Sequence, residues 1–282
     1  MSTRPITRVV PAQATQDGAG VRLLRAIGYQ RQARFDPFLM LDAFSSDDPD
    51  DYIAGFPAHP HRGFETVTYI VDGHMRHRDH LGNEGDLKSG GVQWMTAGRG
   101  IIHEEMPQQE NGLLRGFQIW LNLPAATKMQ PAHYRDIPAA EMPVHELEGG
   151  GFVKLIAGTL SIEGQALVGP GQSVTTEPII ADIRVAPGQA IELPVPATHQ
   201  AMLYVFEGWL AIDGQDVNSA HSVLLGEGSE LRIAAGDQGV RVLLLAGRPL
   251  DEPIAQYGPF VMNTQDEIER ALADYRDGVL AN

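Results

Sequence analysis

Apolar residues along this chain come in short blocks separated by Gly, Pro, Asn and Asp. "DPFLMLDAF" (36–44), "ETVTYIVDG" (65–73), "VQWMTAG" (92–98) and "GFQIWLNL" (116–123) are four of them. "FVKLIAG" (152–158), "IIADIRVAPG" (179–188), "AMLYVFEGWLAIDG" (201–214), "SVLLGEG" (222–228) and "VRVLLLAG" (240–247) continue the series. Block length and β-branched content read as strands. Regular spacing with turn residues between them predicts an all-β protein of sandwiches or barrels rather than βαβ units. One segment has a different period. In "NTQDEIERALADYRDG", Ile268, Ala271, Leu272 and Tyr275 fall at i, i+3, i+4 and i+7. Thr264 and Glu267 have capping-box spacing, and Gly278 stands where a helix stops. The pattern predicts an amphipathic C-terminal helix over 264–277 that packs on the sheets.

A Pro-punctuated stretch, 123–150, has no sustained apolar pattern and divides the chain nearly in half. It sets the expected domains at 1–132 and 133–282, the helix belonging to the second. The halves share features. "YIVDGHMRHRD" resembles "YVFEGWLAIDG", and "AGRGIIHEE" resembles "LGEGSELRI". An alignment by eye sets His59 and His61 opposite Pro194 and Pro196, and His103 and Glu105 opposite Leu231 and Ile233. The first copy then carries chemistry where the second carries a core.

Composition narrows the function classes. The 282 residues include 31 Gly and 19 Pro, in keeping with many tight turns. The formal charge is −15, which disfavours phosphate backbones and anionic membranes, so no direct nucleic-acid contact is expected. With no cysteine there is no disulfide, thiolate metal site or thiol nucleophile. The N-terminus lacks the apolar stretch of a signal peptide, and no run is long enough to span a bilayer. A cytoplasmic protein, monomeric and without a membrane role, is the expectation.

The chemistry-bearing residues are concentrated. His59, His61, His74, His77, His80 and His103 all lie between positions 59 and 103. On a strand, residues i and i+2 share a face, so His59 and His61 converge, and so do His103 and Glu105, with Glu104 turned away. Two such strands, paired or facing, would bring three imidazoles and a carboxylate to one point. That donor set suits a first-row divalent metal. A lone His-x-His pair also reads as two solvated or core-satisfied rings; the second pair and the apolar second copy favour the metal. His74, His77 and His80 read as solvated or hydrogen-bonded surface rings on a strand that runs into a turn. His133, His145, His199 and His221 have no ligand-like company. There is no P-loop, dinucleotide fingerprint or nucleophile elbow.

"HPHRGFETVTYIVDGHMRHRD", "QWMTAGRGIIHEEMP", "GPFVMNTQDEI" and "DPFLMLDAF" together resemble the pirin family, bicupins of the cupin superfamily. The resemblance spans nearly the whole chain and implies two tandem cupin barrels. It implies a metal, usually iron, in the N-terminal barrel on His59, His61, His103 and Glu105, and a second barrel without ligands. Iron(II) is the expected ion, with Mn, Ni, Cu, Co or Zn as alternatives. The general cupin pattern His-x-His-x3-Glu would use Glu65 instead; in pirins Glu105 replaces it, leaving Glu65 a neighbouring or structural role. The resemblance further implies a dioxygenase like quercetin 2,3-dioxygenase, which opens a flavonol heterocycle with O2 and releases CO. Glu105, or Glu65 nearby, would accept the substrate's hydroxyl proton. The alternatives are a metal-bound regulatory or redox-sensing protein acting through a protein partner, and a purely structural metal.

Overall fold

The computed structural model describes residues 2–28, 35–109, 111–171, 173, 175–212 and 214–282. Each apolar block falls on a strand: Phe38–Ser46, Phe64–Asp72, Val92–Thr96 and Leu114–Asn122 in the first half. In the second half the blocks become Gly151–Ala157, Ile179–Val185, Gln200–Ile212, His221–Leu225 and part of Glu230–Gly247. The one α-helix among the described residues is Gln265–Arg276. Thr264 caps it and exchanges both hydrogen bonds of the capping box with Glu267, as the spacing predicts.

The chain forms two compact units. One is built from Ala14–Arg34, Phe38–Ala139 and Leu250–Asn282; the other from Met1–Gln13, Phe35–Pro37 and Ala140–Pro249. This corrects the division at 132/133 in three ways. The strand Ile6–Pro11 pairs with His221–Leu225 and so joins the second unit. The terminal helix joins the first, where Ile268 and Ala271 pack with Phe260, Met262 and Leu280. The strand His133–Ile137, just past the expected boundary, pairs with Val92–Thr96 and extends the first unit.

The first unit has two large sheets and a short two-stranded one, Ala255–Tyr257 with Phe260–Met262. Seven strands run in the order His133–Ile137, Val92–Thr96, Phe64–Asp72, Leu114–Asn122, Phe38–Ser46, Val21–Ile27, Gln13–Asp17. Four strands run in the order Phe56–His61, Ile101–Pro107, His74–Asp79, Glu84–Lys88. Met75 and Leu87 from the smaller sheet pack against Val21, Leu23, Phe44, Ile70 and Leu114 from the larger. Burying these side chains is the main stabilising term for a sandwich of this kind.

The second unit has a nine-stranded sheet and a large apolar core cluster. Its register corrects the internal alignment. Leu193 pairs with Leu231 and Ile191 with Ile233, and Val195 donates its amide to Ser229 at 3.1 Å. In the first unit His59 pairs with His103 and His61 with Ile101. With Leu231 in the place of His103, Leu193 stands for His59 and Val195 for His61. Pro194 and Pro196, one residue off, face solvent. Leu193, Val195, Leu231 and Ile233 are all buried in the core, so the second copy is apolar at each ligand-equivalent position.

Candidate metal centre

His59 and His61 close the strand Phe56–His61 at the edge of the four-stranded sheet. An edge tolerates proline, because one side of the strand makes no ladder bonds. That is why Pro60 can sit between the two histidines. His103 comes from the neighbouring strand Ile101–Pro107, directly opposite His59. The three rings meet, with centroids 4.7 Å apart for His59–His61, 4.4 Å for His59–His103 and 4.9 Å for His61–His103. Each ring offers a nitrogen, and these nitrogens all lie within 4.8 Å of one another. Among the described residues this is the one group of three or more His, Asp or Glu side chains so arranged.

The neighbours determine which nitrogens are available. His59 Nδ1 donates to the Pro57 carbonyl at 2.9 Å, which leaves Nε2 open. His103 Nδ1 lies 2.9 Å from His77 Nε2, while its own Nε2 is buried without a hydrogen-bond partner. His61 is buried edge-on to Phe64 and Trp120, and its Nδ1 is likewise unpartnered. Burial, reinforced by the adjacent rings, holds His61 and His103 well below the ordinary imidazole range. These two rings are therefore neutral near pH 7, with lone pairs to donate. Buried nitrogens without partners are costly, and a cation between them would satisfy them. The residues fit a metal ion.

Glu105 follows a register irregularity after His103 and pairs across the sheet with His77. Its carboxylate is buried and accepts a hydrogen bond from Thr68 Oγ1 at 2.9 Å. It lies outside the tight triad of nitrogens, yet lines one cavity with His59 and His61. Glu104 faces the other way, half-buried, as strand parity requires. Glu65 is buried, accepts from Thr96 Oγ1 at 2.7 Å, and is not among the cavity-lining residues.

The cavity has a volume of about 700 Å³. Leu23, Leu39, Met40, Phe44, Phe56 and Trp120 give it apolar walls. Arg25 also reaches it but is bonded at both Nε and Nη2 by the buried Asp42, at 2.8 and 2.7 Å. Gln256, Gly258 and Pro259, ahead of the terminal helix, complete the lining.

His77 corrects the sequence reading. It is 2% exposed and hydrogen-bonded to His103, not a solvated surface ring. Met75, two residues earlier and on the same buried face, is the signal that could have found it. His74 and His80 are partly exposed and bonded to Asp86 and the Ala281 carbonyl, in line with the expectation for them. His145 and His199 bond to Glu163 and to the Glu177 carbonyl, away from any cluster.

Fold and site together define a two-domain β protein of the cupin class with a buried histidine cluster able to hold a metal. Residues 20–121 match the Pirin family and residues 180–281 the Pirin C-terminal cupin domain, and the chain belongs to the pirin family. It is 53% identical over 282 residues to a protein of Pseudomonas aeruginosa carried under the name "Putative quercetin 2,3-dioxygenase", with 99% of this chain and 98% of that one covered. The crystal structure of quercetin 2,3-dioxygenase from Acinetobacter baumannii superimposes with a TM-score of 0.91 at 32% identity, covering 100% of this chain and 99% of that one. A bacterial pirin from Escherichia coli, solved in complex with nickel(II), shares the fold at TM-score 0.65 and 18% identity over 86% of this chain and 99% of that one.

Proposed function

We propose that this protein is a metal-dependent dioxygenase acting on a flavonol-like aromatic, with His59, His61, His103 and Glu105 as metal ligands and iron(II) as the ion. The observation that carries the reading is the opening of a histidine triad, with His61 and His103 buried and neutral, onto a cavity with apolar walls that Glu105 also lines. The name of the relative from P. aeruginosa and that of the A. baumannii structure support the same reaction class. When bound, the ion supplies a Lewis acid that acidifies a substrate hydroxyl and a one-electron path to dioxygen.

The chain's own groups do the rest. The apolar walls take a flat ring and keep water from the reacting carbons. Trp120 and Phe64 hold the His61 ring from its edge, so its nitrogen stays aimed. The Glu105 carboxylate, which Thr68 holds in place, accepts the flavonol hydroxyl proton. Glu65, set apart from the cavity and bonded to Thr96, is left a structural role. One flavonol and one O2 give one ester acid and one CO, with two carbon–carbon bonds broken and no external reductant required.

The test is direct. Iron-loaded protein in air should bleach quercetin while consuming oxygen and releasing CO. His61→Ala should lose all three while keeping the β-sheet circular dichroism of the parent. A protein that holds iron stoichiometrically yet never turns over flavonols would support a regulatory role in place of this one.

A further inference from the structure

Across the seven-stranded sheet runs a row of polar residues at a single register. Arg25 pairs with Asp42, Asp42 with Gln118, Gln118 with Thr68, Thr68 with Gln93, and Gln93 with Asp136. Residues directly opposite on neighbouring strands share a face, so these six side chains form a belt over six strands. Several neighbours in the belt are hydrogen-bonded: Arg25 to Asp42, Gln93 Nε2 to Asp136 at 2.8 Å, and Thr68 to Gln118. Glu105 enters from the other sheet and meets the belt at Thr68.

Counting hydrogens fixes the direction of this contact. Thr68 Oγ1 is 2.9 Å from Glu105 Oε1 and 2.6 Å from the Gln118 atom placed as Oε1. A hydroxyl has one hydrogen to give, and a carboxylate can only accept. If Thr68 gave its hydrogen to Gln118, two oxygens would face each other at the Glu105 contact with nothing between them. Thr68 therefore donates to Glu105 and must accept from Gln118. The oxygen and nitrogen of an amide are assigned from such a network; turning the Gln118 amide end for end puts Nε2 against Thr68 and Oε1 toward the cavity that Gln118 lines.

We infer that Gln118, acting through Thr68, is a positioning residue for Glu105. The relay runs Gln118 Nε2–H to Thr68 Oγ1–H to Glu105 Oε1. It holds one carboxylate oxygen against the belt and leaves the other to approach the histidine triad. Gln118 makes no hydrogen bond to the triad, so its influence on a metal passes through the Thr68 hydroxyl. The inference rests on the proposed ligand role of Glu105, and its readout is metal affinity, independent of turnover.

The experiment is chelator competition for nickel(II) with the full-length protein. Thr68→Val keeps the shape and removes the hydroxyl; it should weaken nickel binding about tenfold, as loss of a group that orients a ligand does. Thr68→Ser should restore affinity to within about twofold, because the hydroxyl returns. Gln118→Leu should weaken binding in the same direction, and Thr68→Val/Gln118→Leu should be no weaker than Thr68→Val alone, because both act on one path. Equal affinity for Thr68→Val and the parent, failure of serine to rescue, or an additive double variant would each overturn the inference while leaving the metal centre standing. A parent protein that binds no nickel would overturn both.

Discussion

An imidazole that binds a cation through Nε2 must keep its proton on Nδ1, and His77 supplies the acceptor that keeps it there for His103. The same contact fixes the ring's tilt. Replacing His77 with Leu should therefore lower metal affinity by about 10- to 100-fold, the usual consequence of removing such a partner. Chelator competition measures it, and unchanged affinity would contradict the assigned tautomer. Protons compete for the same nitrogens. His61 and His103 sit well below their ordinary pKa when folded, so between those depressed values and about 6.5 the unfolded chain binds more protons than the folded one. The stability they contribute is fully present above that upper value and is lost as pH falls below it. Metal-free protein should lose melting temperature between pH 7 and 5.5, and His61→Gln/His103→Gln should flatten that slope. An identical slope in the variant would show that these rings are not buried neutral. At this scale much of the site was legible, since parity alone paired His59 with His61 and His103 with Glu105. His77 was not, because a histidine between two arginines looks solvated until Met75 is seen to share its face.

The elements show what patterning can and cannot reveal. The long apolar strands and the helix were legible because burial imposes a period of two or of 3.6 on side chains. Gln13–Asp17, Glu84–Lys88 and His133–Ile137 escaped notice, and each lies at the edge of its sheet. An edge strand is covered on one side only and needs few apolar residues. The helix was legible in its caps but not in its location, because caps are local and docking is not. Its docking depends on buried polar anchors. Arg62, next to His61, pairs with Asp274 at 2.7 Å and donates to the Leu280 carbonyl at 3.1 Å. Lys128, fully buried, donates to the Gly63 carbonyl, Asn122 Oδ1 and the Val261 carbonyl at 2.7, 2.6 and 3.1 Å. Burial lowers its pKa to about 7, and three acceptors suit the ammonium form. Lys128→Met fills the space but leaves three acceptors unmet, which should cost about 3 kcal/mol of stability. Urea unfolding tests this, and a change below about 0.5 kcal/mol, the range of ordinary surface substitutions, would deny it an anchoring role.

Over the whole molecule, two β units of similar plan divide the labour, and each borrows a terminal segment from the other's half of the chain. The second unit's core is apolar at Leu193, Val195, Leu231 and Ile233. The first unit spends the equivalent positions on polar groups, at a cost in burial that a metal ion would offset. The internal repeat was visible in the sequence, but its register was not. The shared segments suggested an alignment that set His59 and His61 one residue away from the partners that hydrogen bonding gives them. The exchange of termini was equally hidden, since no local pattern says which sheet edge a distant strand will complete. A net charge of −15 leaves a small neutral aromatic a more natural ligand than a polyanion. The account stands on one ion held by the histidine triad. The measurement is metal content per chain by elemental analysis, after loading with iron(II) under anaerobic conditions and desalting. The parent should carry one ion per chain and His61→Ala/His103→Ala none. A parent that emerges empty, or a double variant that still carries a full equivalent, would contradict it.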